Sequence, residues 1–209
     1  MTEKLPDQLR EGLNLVFVGT AAGHRSAAEG AYYAHPGNRF WRTLHEVGLT
    51  PRLFAPHEFP RLVELGIGFT DMSKIGSGMD HEIAPEHFDA TLFETKMRRF
   101  RPRAIAFTSK KAASVWLGQP TGKIGLGRQA PALPDFPEVF VLCSPPARRR
   151  NTGTSGRGGN WRIGSGARRR DCAQDLTGLL RRHRIAHIRA PRMEVLNVQS
   201  AQEDRDARA

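Results

Sequence analysis

The sequence predicts an α/β fold: a three-layer α/β/α sandwich with a central, mainly parallel sheet. Three observations carry that prediction. Short, uniformly apolar runs recur at Leu15 to Val18 (LVFV), Ala104 to Thr108 (AIAFT) and Val139 to Cys143 (VFVLC), as expected of strands covered on both faces. Segments with helical spacing of apolar residues lie between them. The strands stop abruptly in glycine, serine or proline, so a parallel arrangement gathers their loops at one sheet edge. In open α/β sheets that edge is where ligands bind.

Length and charge set the limits. The chain has 209 residues and a formal net charge of +11. That length suits one domain over residues 1–190, followed by a charged tail at 191–209. No run approaches the roughly 20 apolar residues of a membrane-spanning helix. The start, MTEKLPDQLREG, is polar and of mixed charge, without a signal-peptide pattern, and a cytoplasmic, nucleoid-associated location is expected. Two cysteines, Cys143 and Cys172, are too few for a four-ligand metal or iron–sulfur site, so no metal and no cofactor are expected. Eight arginines lie between Arg148 and Arg170, and no acidic residue occurs between Glu138 and Asp171. Arginine at that density, among glycines, points to a polyanionic partner, and nucleic acid fits best. A plain solvated basic loop is the alternative.

Taken in order, residues 1–12 form a short helix or an arm, and Leu13 to Val18 is the first strand. Ser26 to Glu29 starts a turn or short helix. Phe40, Trp41, Leu44 and Val47 fall at helical spacing, which predicts a helix over 38–47, stopped by Gly48. A second short helix covers 59–65, closed by Gly66, and Ile67 to Asp71 is a short strand or extended segment. Phe88, Leu92, Phe93, Met97 and Phe100 mark one face of a helix over 85–100, broken by Pro102. Ser109 is placed to cap a helix over 110–117. Residues 118–133 are rich in glycine and proline, as a turn or hairpin would be. After the strand ending at Cys143 comes the basic loop, 146–170, and then a last core helix over 173–184.

Three strand ends open into loops with unusual chemistry: Gly19 to Gly23, Thr70 to Gly78, and Ser144 onward. Together they supply small residues (Gly19, Thr20, Ala21), tyrosines 32 and 33, an amide at Asn38, a carboxylate at Asp71 and a hydroxyl at Ser144. A flat aromatic, an amide, a carboxylate and a basic rim suit a nucleobase presented on a phosphate backbone.

On these residues the chain resembles the uracil-DNA glycosylase superfamily, in particular its mismatch-specific uracil and thymine branch. GTAAG followed by GAYYAHPGNRFW is similar to that branch's GINPG-type loop and the GxxFAxPxNRFW run after it. GIGFTDMSK, Gly66 to Lys74, is similar to GIGFTNMV; RPRAIAFTSKKAASVW, Arg101 to Trp116, to a strand–helix KPxxIAFxGKxAY; and CSPPAR, Cys143 to Arg148, to the second motif. The matches are collinear over residues 13–150.

The resemblance implies a DNA-repair enzyme, a monofunctional hydrolase that flips uracil out of double-stranded DNA. It would cleave the N-glycosidic bond and hold the abasic product, with no membrane partner and acting as a monomer. It implies catalytic roles for Asn38, Asp71 and Ser144. It assigns substrate contacts to Gly19, Thr20, Ala21, Tyr33, His35 and Phe40, with Tyr33 stacking on the base, and DNA contacts to Arg148, Arg149, Arg150 and Arg157, and it makes 146–170 a DNA-intercalation loop whose start, Pro146 to Arg150, supplies the wedge that replaces the extruded base. There are departures. Ala21 stands where the branch carries its catalytic asparagine, and the second motif lacks its asparagine or histidine. Asn38, which matches the asparagine of a hypoxanthine-removing relative's YYxHPxNxFW run, is the first candidate to take over. A helix-capping role for Asn38 stands beside the catalytic one. Hypoxanthine or mismatched thymine as substrate, or a catalytically weak protein that binds damaged or abasic DNA, are the alternatives.

Overall fold

The structure is a computed structural model and describes residues 3–130 and 133–142. Ser144, the arginines at 148, 149, 150 and 157, the basic loop, the expected helix at 173–184 and the tail lie outside the described residues.

Among the described residues, five strands form one sheet in the order β2-β1-β3-β5-β4. They are β1 (Leu15–Gly19), β2 (Ile67–Asp71), β3 (Ala104–Phe107), β4 (Gly127–Arg128) and β5 (Glu138–Val141). The pairs β1–β2, β1–β3 and β3–β5 are parallel, and only the two-residue β4 runs antiparallel, at the edge. The α/β class is therefore observed as the sequence predicts it. Every residue of β1, β2 and β3 is buried, because both faces of the sheet are covered.

Strand alternation divides the core in two. Leu15 and Phe17 of β1 pack on one face with Phe69, and there they meet Phe40, Trp41 and Leu44 of α2 (Phe40–Glu46) and Phe59 and Leu62 of a 3-10 helix at Pro56–Val63. Val16 and Val18 point the other way, toward Phe93 and Met97 of α3 (Ala90–Phe100) and Ala112 and Ala113 of α4 (Lys110–Leu117). The remaining helix, α1 (His24–Glu29), follows the β1 loop.

Local chemistry accounts for most of the boundaries. Ser109 Oγ accepts the Ala112 N–H at 3.0 Å, so the expected cap of α4 is in place. The stretch expected as one helix over 85–100 is instead a 3-10 turn at Pro85–His87, an extended Phe88, and α3 starting after Asp89. Asp89 restarts the helix by accepting the Leu92 N–H at 2.7 Å. Of the stretch expected as a short helix or an arm, residues 3–12 run as an arm along the outer edge of β2. Gln8 and Phe69 exchange backbone hydrogen bonds of 2.9 and 3.0 Å, and Leu5 is buried. This covers an otherwise open strand edge.

Candidate active site

The parallel strands deliver their C-terminal ends to one edge, and a cavity of about 520 Å³ opens there. Its walls come from the loop after β1 (Gly19, Thr20, Ala21, Ala22, Gly23), the segment after α1 (Tyr32, Tyr33, His35, Asn38), the end of β2 (Asp71), the loop after it (Gly78, Met79, Asp80) and the end of β3 (Thr108, Ser109). The expected convergence of the β1 and β2 loops is thus observed.

Tyr33 sits at φ 54°, in the left-handed region that a bulky residue adopts only when its surroundings hold it there. Two contacts do so. Its ring stacks on Phe40, with centroids 3.8 Å apart and planes at 20°. Its hydroxyl donates to Thr108 Oγ1 at 3.1 Å, and that hydroxyl in turn donates to the Val18 carbonyl at 3.3 Å. Burial, with Asp71 nearby, pushes the phenol well above its ordinary pKa, so Tyr33 stays neutral. Tyr32 points inward instead, among Phe59 and Phe69. Phe40 is buried behind Tyr33 and does not line the cavity, so it backs the stacking ring rather than meeting a ligand.

Asp71 ends β2 directly beside Gly19, its register partner on β1. A Cβ at position 19 would collide with Asp71 Oδ1, which is why glycine stands there. The carboxylate is only 7% exposed. It makes no side-chain hydrogen bond among the described residues. Burial pushes its pKa up to about 7; Asp7 adds to the rise, while Lys74 and Lys96 hold it back. Behind it lies a buried ionic cluster: Asp7 bridges Lys74 at 2.7 Å and Lys96 at 2.6 Å and accepts the Thr70 hydroxyl at 2.7 Å. Burial alone would raise Asp7, but the two ammonium groups outweigh it and keep Asp7 ionised, below its ordinary value. Asp7 thus stays ionised, while Asp71, beside it, is a carboxylate able to change state near neutrality.

Asn38 lines the same cavity. Its Oδ1 accepts the Phe40 N–H at 2.9 Å, in the turn that leads into α2, whose cap position is Arg39, and this fixes the side chain. One acceptor is thereby used structurally, while the amide N–H₂ is a donor group that this bond does not consume. His35 Nδ1 accepts the Gly37 N–H at 3.0 Å, a contact that shapes the turn from an exposed position. Thr20 Oγ1 lies 2.9 Å from Ser109 Oγ, tying the β1 loop to the end of β3.

Of the residues singled out from sequence, Gly19, Thr20, Ala21, Tyr33, His35, Asn38 and Asp71 come together around one cavity. Sequence reasoning missed Thr108 and the Asp7–Lys74–Lys96 cluster. Thr108 was legible in principle, since a third parallel strand must end at the same edge. The ionic cluster joins positions far apart in sequence and left no local signal.

Tyr33 yields a direct prediction. Tyr33→Ala removes an aromatic platform worth about 1–3 kcal/mol per stacked base and should weaken binding of a flipped nucleotide roughly tenfold to a hundredfold. Tyr33→Phe keeps the platform and loses only the Thr108 hydrogen bond, at a cost of about 1 kcal/mol in stability. Fluorescence anisotropy with abasic and base-containing oligonucleotides, beside thermal melts, separates the two.

The mainly parallel sheet thus brings the Tyr33 ring, the Asn38 amide and the buried Asp71 carboxylate to one edge cavity. The profile of the uracil DNA glycosylase superfamily matches residues 6–163, and the chain belongs to that superfamily, DNA-repair hydrolases that cleave bases from DNA. A solution structure of a candidate uracil DNA glycosylase from Methanosarcina acetivorans is similar at 23% identity, over 72% of this chain and 88% of that one, with a TM-score of 0.48.

Proposed function

We propose that this glycosylase removes uracil from DNA as a monofunctional N-glycosyl hydrolase, with Asn38 and Asp71 replacing the asparagine that position 21 lacks. The observation that supports it most is the meeting of Tyr33, Asn38 and Asp71 on one 520 Å³ cavity in a member of this superfamily. A uracil flipped from the stack would lie on the face of Tyr33 turned away from Phe40. The C1′–N1 bond breaks and its electron pair leaves with the base, while the sugar becomes oxocarbenium-like. Water held by the Asn38 amide adds its oxygen to C1′. The ionised Asp71 stabilises the cationic sugar, takes the proton from that water and returns it to the uracil anion. Ala21 has no side chain to position water, so its part is to leave room beside Gly19. Ser144 is assigned a supporting polar role at the same edge.

The arginines at 148, 149, 150 and 157 are assigned to phosphate contacts that slow release of the abasic product. If four of them touch phosphates, abasic-DNA affinity should fall about tenfold for each doubling of salt. A titration across salt concentrations checks this, and a flat profile removes the assignment.

The deciding experiment is release of free base from duplex and single-stranded oligonucleotides carrying one uracil, hypoxanthine or mismatched thymine. Uracil release supports the reading. Release of hypoxanthine or thymine alone keeps the enzyme and changes its substrate. No release together with tight abasic binding makes the protein a damage binder, the outcome that Ala21 favours.

A further inference from the structure

We propose that Asp7, on the N-terminal arm, is a positioning residue for base release: it holds the ammonium groups of Lys74 and Lys96 and so leaves the Asp71 carboxylate without a cation of its own. This rests on the proposed role of Asp71 as proton acceptor and makes the arm part of the active site.

The arm is fitted to the site at several points. The Lys4 N–H donates to the Lys74 carbonyl at 2.9 Å, and the Pro6 carbonyl accepts the Tyr32 hydroxyl at 3.4 Å. Leu5 lines the large cavity itself. Asp7 uses both carboxylate oxygens: Oδ1 takes Lys74 and the Thr70 hydroxyl, and Oδ2 takes Lys96. Fastening the arm to the sheet edge does not require this cluster, because the Gln8–Phe69 backbone pair already does so. A buried ion pair is also a weak source of stability, so two lysines committed to one carboxylate call for another reason.

That reason lies beside Asp71. Asp71, Lys74 and Lys96 line a second cavity, of about 170 Å³. Lys74 is buried and follows Asp71 by three residues. Besides Asp7, it donates to the Tyr32 hydroxyl at 3.3 Å. A buried ammonium left with a hydroxyl alone would turn to a carboxylate, and Asp71 is the buried carboxylate on the same cavity. Glu86 and Asp89 line that cavity too, but are exposed, with His87 half-buried between them. Tyr32 and Tyr33, facing Asp71 from the segment after α1, stay neutral because burial raises both phenols. An Asp71 paired with Lys74 would be ionised but a weaker proton acceptor. Asp7 prevents that pairing by competing for the cation. Its own charge acts in the same sense: burial is the main cause of Asp71's raised pKa, Lys74 lowers it, Asp7 raises it and Lys96 lowers it.

The test follows Asp71 in the wild type, D7N, K74M and the double variant. Its ionisation is titrated by carboxyl carbon NMR, and single-turnover uracil release is measured across pH on the same proteins. The wild-type midpoint is expected at about 7. D7N should lower it by about one pH unit or more and reduce the plateau rate, and K74M should raise it by a similar amount. Loss of arm packing alone would change melting temperature and rate, but would not move the midpoint in opposite directions. If D7N does not fold, K74M and the double variant carry the comparison, and adding D7N to K74M should bring the midpoint down. A midpoint unmoved in either single variant, or moved the same way in both, overturns the proposal. If the wild type releases no base, the uracil reading fails separately. The NMR titration then decides Asp7's hold on Asp71 by the same criteria.

Discussion

Asp71→Asn should lower base release by about 10²–10⁴-fold, the range expected when a positioned proton acceptor is lost. The pH profile should change with it. Asp71 has a pKa of about 7 because burial opposes its ionisation. The ionised form is the one proposed to act, so the wild-type rate should climb as pH rises through 7 and level off above it. The variant's residual rate should be flat across that window. A wild-type rate that falls through pH 7 would instead make the protonated carboxyl the working form, a donor to the leaving base, and would overturn the base role.

Stability should move in the opposite direction. The folded pKa, about 7, lies above the unfolded value of 3.8. Below about pH 4 the group is protonated in both states. Between pH 4 and 7 the folded protein keeps a proton that the unfolded chain has released, so folding stability falls as pH rises, and the loss is complete above 7. At about 1.4 kcal/mol per unit the full cost is on the order of 4 kcal/mol. Asparagine cannot ionise, so Asp71→Asn should melt higher than the wild type at pH 8 and close to it at pH 4. Greater stability with lost activity is the signature of a group retained for its chemistry. Thermal melts at the two pH values, run beside the rate profiles, test both halves.

The sequence carried much of the architecture because the strands are short, apolar and doubly buried. β2 appears at Ile67–Asp71, as its composition predicts. The Ser109 cap and the positive-φ glycines at 48, 66 and 118 end elements where their chemistry requires. The 85–100 stretch misled because Phe88 packs into the same cluster as Phe93 and Met97 although its backbone is extended. Periodicity records which side chains reach the core, not the backbone that carries them there. Asn38, Tyr33 and Asp71 were legible because residue type and strand-end position agree. The raised pKa of Asp71 was not, since it depends on burial and on a balance among Asp7, Lys74 and Lys96 that exists only once the chain is folded.

Asn38 joins a structural and a catalytic task, and two substitutions separate them. Asn38→Ala removes both the hydrogen bond to Phe40 and the amide. It should cost about 1 kcal/mol of stability and, as with loss of a single preorganised donor, about 10²–10³-fold in base release. Asn38→Asp keeps an oxygen to accept the Phe40 N–H, and its negative charge near the start of α2 is compatible with the helix, so stability should be retained. It loses the N–H₂ donor, and its charge lies on the same cavity wall as Asp71, so base release should stay low although the fold is intact. If Asn38→Asp restores stability and activity together, Asn38 is a turn anchor and nothing more. The proposed replacement for the missing side chain at Ala21 then rests on Asp71 alone. If stability returns and release does not, the amide is the working group, and the loss at position 21 is compensated from the loop that also carries the stacking tyrosine.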